Sequence, residues 1–204
     1  MRTIKSRYPQ APLYAVGVSL GGNQLALFCG KAHQKAKELL VAAAAVGAPV
    51  DLVAGSNLLK QGFNRVYSEM FLNSLIPKVL KKLEQHPELK TMIDQKKLEK
   101  CVNFYDFDSL FTAPVHGFKN AMDYWTQCSA KPWLKQVEVP LLLLNARNDP
   151  FLPPWALPTL SDVSSYVWLD QPKEGGHIGF PTGNPPGKVD YLPERIFRFF
   201  LEKR

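Results

Sequence analysis

Four short apolar runs stand out along the chain. The first, 11–18 (APLYAVGV), stops at Ser19-Leu20-Gly21-Gly22, and the second, 39–46 (LLVAAAAV), is closed by Gly47-Ala48-Pro49. The third is 139–145 (VPLLLLN) and the fourth 165–169 (SYVWL). Apolar runs of this length, bounded by turn residues, fit strands of a parallel sheet buried on both faces. Between the first two runs, Leu25, Phe28 and Cys29 share one helical face, while Lys31, Gln34 and Lys35 share the other. From Asp51 to about Lys100 the pattern is helical, with breaks at Gly62 and near His86-Pro87. A closing amphipathic helix fits Leu192–Leu201, with Ile196, Phe199 and Phe200 inward. Strands alternating with helices predict an α/β fold: a mainly parallel sheet flanked by helices. The long helical stretch between the second and third strands reads as a cap insertion over 51–100, inside one domain spanning 1–204.

Composition removes several classes. An apolar content of 46% with 11% aromatics is ordinary globular usage. The three cysteines (Cys29, Cys101, Cys128) are too few and too scattered for a disulfide framework, and no Cys/His spacing suggests zinc. Neither a metal nor an organic cofactor is expected. The longest apolar run, 39–50, falls short of the ~20 residues that span a bilayer. The start, Met1-Arg2-Thr3, leads into polar sequence rather than an apolar signal segment. These features and the reduced cysteines favour a cytoplasmic location, though a membrane anchor in a longer form stays open. The net charge of +7 invites a nucleic-acid partner. However, the lysines at 78, 81, 82, 96, 97 and 100 interleave with leucines at helical spacing, as on solvated helix faces. No nucleic-acid partner is expected.

The candidate chemistry begins at Gly17-Val18-Ser19-Leu20-Gly21. The pattern G-x-S-x-G falls where a strand ends and a helix begins, the context of a nucleophile elbow. Its glycines are expected because the turn is strained and its packing leaves no room for a Cβ. A serine nucleophile needs a general base, and the base needs an orienting carboxylate. In this fold class the chain order is serine, acid, histidine. His33 and His86 read as solvated, and His116 precedes the best acid. His177, in Gly175-Gly176-His177-Ile178-Gly179-Phe180, follows the last strand in a glycine-rich loop and is the expected base. Asp149 stands just past the third strand, on the rim where open α/β sheets bind ligands, and is the expected acid. Asp51 is the runner-up, read more simply as a helix N-cap, and Asp106 and Asp108 sit in an aromatic segment that reads as packed.

Taken together, these motifs resemble the YheT-like α/β-hydrolases. Gly17-Val18-Ser19-Leu20-Gly21-Gly22-Asn23 resembles that family's elbow, and 106–130, including Tyr124 and Cys128-Ser129-Ala130, resembles its segment between cap and third strand. Gly62-Phe63-Asn64-Arg65-Val66-Tyr67 is similar to its cap motif. Asn148-Asp149-Pro150-Phe151 and the loop around His177 are similar to its acid and histidine loops.

The resemblance implies a serine hydrolase acting on carboxylic esters, of short to medium acyl chains or lipid-like. Ser19 would attack, His177 would move the proton, Asp149 would orient the imidazole, and the Leu20 N–H would supply an oxyanion donor. Phe63, Met70, Phe71 and the aromatics of 104–111 read equally as acyl pocket or core. A thioesterase or acyltransferase on the same fold is the alternative, and a non-catalytic truncated product is another. The family's early strands, and the loop carrying its second oxyanion donor, do not precede the elbow strand here. The expectation is therefore a C-terminal portion that is poorly active or poorly soluble alone, since one lost oxyanion donor costs ~10²–10³ in rate.

Overall fold

The computed structural model describes residues 1–184 and 187–203. It divides into two compact units, one made of 1–51 and 129–204 and the other of 52–128.

In the first unit, α1 (Arg2–Arg7) precedes β1 (Tyr14–Val18), which turns directly into α2 (Leu20–Ala32). A break at His33 separates α2 from α3 (Gln34–Leu39), and β2 follows (Ala42–Val46). After the second unit come β3 (Leu141–Leu144) and β4 (Val167–Asp170), and the described chain closes on a final helix, Tyr191–Glu202. The four strands form one parallel sheet in the order β1-β2-β3-β4. The fold class expected from the apolar runs is thus present.

Strand geometry explains the two cores. Successive side chains point to opposite faces. Ala43, Ala45, Leu141 and Leu143 pack with Leu25, Ala26 and Cys29 of α2, whereas Ala42, Ala44, Val46, Leu142 and Leu144 pack with Ile196, Phe199 and Phe200 of the final helix. Alanine is a weak strand former, yet β2 is buried along its whole length. Its central place between β1 and β3, with helices on both faces, overrides propensity. β1 and β4 are the edge strands of the described sheet, and Val16 and Val18 of β1 remain exposed.

Register fixes the functional rim. Val18 pairs with Val46, Val46 with Leu144, and Leu144 with Asp170. The next residues, Ser19, Gly47 and Asn145, therefore follow neighbouring strands at the same carboxyl edge. One boundary differs from expectation: Leu39 ends a helix, and β2 begins only at Ala42.

The second unit is helical. It contains α4 (Leu52–Leu59), α5 (Asn64–Gln85), α6 (Gln95–Leu98), α7 (Phe104–Phe107), α8 (Ala113–His116) and α9 (Ala121–Cys128). The final helix of the first unit is α10. The chain breaks at Gly62, whose φ is +51°, and at His86-Pro87, as the pattern predicts. Helices continue past Lys100, with a π-helical turn at Asp108–Thr112. Phe107 is buried with Leu72, Val79 and Leu83 of α5, whereas Phe63 and Met70 are exposed.

Candidate active site

Ser19 occupies the turn between β1 and α2 at φ 54°, ψ −126°. A non-glycine residue held there carries strain of about 1–3 kcal/mol, which persists only where surroundings impose it. Here the Ser19 N–H donates to the Val46 carbonyl (2.8 Å), and the Ser19 carbonyl accepts from the N–H groups of Gly22 (2.9 Å) and Asn23 (3.2 Å). A Cβ on Gly17 would lie 2.4 Å from the Gly21 carbonyl oxygen, so this position needs glycine. For Gly21 the expected crowding is wrong, because a Cβ there meets nothing within 4 Å. The tight contact falls on Gly22 instead, 2.9 Å from the Ala48 Cβ. Asn23, almost fully buried, accepts the Ala130 N–H on its Oδ1 (3.0 Å) and ties the start of α2 to the segment before β3.

Asp149 and His177 come from the loops after β3 and β4. The Asp149 side chain is fully enclosed, and its Oδ1 accepts the Phe151 N–H (2.8 Å). Its Oδ2 lies 2.9 Å from His177 Nδ1. A carboxylate can only accept, so Nδ1 carries the proton and Nε2 presents its lone pair. Ser19 Oγ lies 2.9 Å from that Nε2. The structure thus brings the three residues into one hydrogen-bonded chain. The edge-to-face ring of Phe151 packs on His177 with centroids 4.7 Å apart. Asn148 Oδ1 accepts the Gly176 N–H (2.9 Å), latching the acid loop to the histidine loop. Phe180 anchors that loop with its buried ring, and its N–H donates to the Gly175 carbonyl (2.8 Å).

Such an arrangement can draw the serine proton onto the imidazole and hold the resulting cation against a buried carboxylate. Leu20 is the first residue of α2, so its N–H has no acceptor within the helix.

The remaining candidates lie elsewhere. His33 takes a positive φ between α2 and α3, and its Nδ1 is 3.1 Å from the Gln136 carbonyl. The half-exposed ring thus adds a link to the segment before β3. His86 is exposed beside Glu88 (3.2 Å). His116 ends α8 in the helical unit, and Asp51 directly precedes α4. Asp106 bonds back to Asn103, whose side chain caps α7. Asp108 is buried and accepts from Thr112 Oγ1 (2.6 Å) and Trp125 Nε1 (2.7 Å). Sequence reasoning missed Gly47: its φ is +54°, and a Cβ would lie 2.5 Å from the His177 carbonyl oxygen and 3.2 Å from the ring's Cε1 and Nδ1. A glycine directly after a central strand, on the rim of Ser19, was the available signal.

The sequence profile of the alpha/beta hydrolase fold family matches residues 1–183. The chain is 36% identical over 197 residues to YheT of Escherichia coli (strain K12), a protein named as an esterase, covering 96% of this chain and 57% of YheT. It is 34% identical over 200 residues to phospholipase ABHD3 of Mus musculus, covering 98% of this chain and 47% of that protein. The chain thus spans about half the length of these curated relatives. An alpha/beta fold family hydrolase from Bacillus anthracis str. Sterne superposes with a TM-score of 0.54 at 16% identity, over 100% of this chain and 71% of the other. That likeness is one of fold. Among the described residues, no helix is long and apolar enough to cross a membrane. The resemblance read from the motifs is borne out: the chain belongs to the alpha/beta hydrolase fold family, with YheT among its relatives.

Proposed function

We propose that this chain carries the reaction centre of a serine hydrolase that cleaves carboxylic esters, of short to medium acyl chains or lipid-like. The observation that carries the reading is the unbroken path Ser19 Oγ–His177 Nε2–His177 Nδ1–Asp149 Oδ2, with 2.9 Å at both hydrogen bonds. Ser19 Oγ adds to the ester carbonyl while its proton passes to His177 Nε2. The carbonyl π pair moves onto oxygen, where the Leu20 N–H stabilises it. Collapse expels the alkoxide, which takes the proton from Nε2 and leaves as the alcohol, with the acyl group on Ser19. Water then repeats the sequence, returning the carboxylic acid and free Ser19. Asp149 keeps Nδ1 protonated and offsets the imidazolium charge. Neither metal nor organic cofactor enters any step.

Esterase, phospholipase and monoacylglycerol lipase names among the relatives support an ester or lipid-like substrate. The helical insertion over 51–100 is read as the cap of the fold. The three free cysteines favour a cytoplasmic location. Covalent labelling with a fluorophosphonate tests the chemistry, because the probe reports an activated serine without knowledge of the substrate. The expected result is labelling of the parent chain that Ser19→Ala abolishes. Labelling that is equal in both, or absent from both folded proteins, overturns the reading.

A further inference from the structure

The end of β2 and the turn after it touch Ser19 and His177 and are tied to the loop that bears Asp149. The Val46 carbonyl accepts the Ser19 N–H (2.8 Å) and so holds the strained elbow. Gly47 lies against His177 so closely that a methyl group would overlap its carbonyl oxygen at 2.5 Å. The Ala48 side chain backs onto Gly22 in the first turn of α2. The fourth connection is Asn145, at the head of the loop that bears Asp149, whose Nδ2 donates to the Ala48 carbonyl (3.1 Å). The Gly47 N–H, donating to the Leu144 carbonyl (2.9 Å), completes the attachment to β3.

Asn145 is an odd choice for packing alone. It is 1% exposed, and its Oδ1 has no hydrogen-bond partner among the described residues. A buried acceptor left unpaired destabilises the fold. The Ala48 carbonyl does not depend on the amide either, since it also accepts the Val50 N–H (2.8 Å). An apolar residue of the same branched shape would thus leave no backbone group unpaired and would remove the orphan oxygen.

We propose that Val46-Gly47-Ala48, clamped by the Asn145 amide, is the positioning element that sets His177 between Ser19 and Asp149, and that Asn145 serves this geometry against the interest of stability. The inference rests on the triad reading above and adds residues that touch no reacting atom.

The test compares the parent with Asn145→Leu and Gly47→Ala. Three quantities are read: the thermal midpoint, the fluorophosphonate labelling rate, and the NMR signature of the His177 Nδ1 proton hydrogen-bonded to Asp149. For Asn145→Leu the midpoint is expected to be unchanged or raised while labelling slows about 10- to 100-fold, the scale of an ångström of misplacement. With an ester substrate the loss should fall on kcat and leave KM unchanged. The Nδ1 signal should broaden or shift. Gly47→Ala should do the same more severely, and any loss of folding there leaves Asn145→Leu to decide. An Asn145→Leu protein with parental labelling rate and parental Nδ1 signal overturns the clamp, as does one whose activity falls only in step with its stability. A parent that is never labelled, but whose Nδ1 signal still responds to Asn145→Leu, overturns the hydrolase chemistry and leaves the positioning element standing.

Discussion

Among the described residues each unit buries one aspartate, Asp149 in the first and Asp108 in the second, and the two have opposite surroundings. Asp149 in the sheet unit accepts from the Phe151 backbone N–H and from a histidine ring whose far nitrogen faces Ser19. Asp108 in the helical unit accepts from Thr112 and Trp125, neither of which can carry a positive charge. Burial is similar, 4% and 8% exposed. The difference is the partner. Beside a base, a buried carboxylate can stabilise a charge that appears during reaction. Beside neutral donors it can only organise packing, and burial then raises its pKa, opposed by the hydrogen bonds from Thr112 and Trp125.

The widest separation between the two should appear when each is made an amide. Asp149→Asn keeps the shape but presents a donor to Nδ1, favouring the wrong tautomer, and a rate loss of ~10⁴ is expected. Asp108→Asn should leave labelling of Ser19 within about twofold of the parent. Parallel fluorophosphonate time courses read both. Equal rates for the two variants would remove the distinction.

The sequence made one side of this comparison far more legible than the other. Ser19, Asp149 and His177 are legible because Ser19 directly follows a strand, the other two lie in the loops after later strands, and the proposed chemistry needs those side chains in that order. All four strands were visible as apolar runs, since a buried parallel strand needs no alternation. The run that begins at Leu39 misled, because apolar residues ending a helix and starting a strand look alike without periodicity. Gly47, marked only by its place after a strand, and Asn145 were hard to read for a different reason. Their work is contact with residues far along the chain, Gly47 with His177 and Asn145 with Ala48. Asp108 was read only as part of a packed aromatic segment. Its partner Trp125 lies on α9, beyond a π-helical turn that no residue spacing announces.

If Asp108 organises packing, removing it should cost stability rather than rate. Asp108→Ala removes the hydrogen bond that the buried Trp125 indole N–H donates to the carboxylate. Loss of a buried hydrogen bond to a carboxylate costs about 1–3 kcal/mol, readable in urea denaturation. Adding Trp125→Phe removes the donor of the same hydrogen bond, so the double variant should cost less than the sum of the two single ones by at least about 0.5 kcal/mol. Strict additivity would mean that the hydrogen bond contributes nothing to holding the unit.

The smallest effect is also the most specific to a carboxylate with neutral partners. The pKa of Asp108 is raised in the folded protein, with burial the largest cause. Between its ordinary value of ~3.9 and that raised value, the folded state holds a proton that the unfolded state releases. Unfolding is then accompanied by proton release, and stability falls as pH rises. The contribution of Asp108 is therefore fully present below the unfolded carboxylate pKa and is lost as pH climbs through the folded one. Its neighbour Tyr124 is pushed up to about 12, first by burial and then by the Asp108 charge, so the phenol stays neutral throughout that window. Asp108→Asn cannot titrate. The thermal midpoint of the variant minus that of the parent should accordingly grow more positive from acid to neutral pH, with the other carboxylates cancelling in the difference. A difference that stays flat, or shrinks toward neutrality, would mean that Thr112 and Trp125 stabilise the anion fully, and the two aspartates would then differ in position but not in electrostatics.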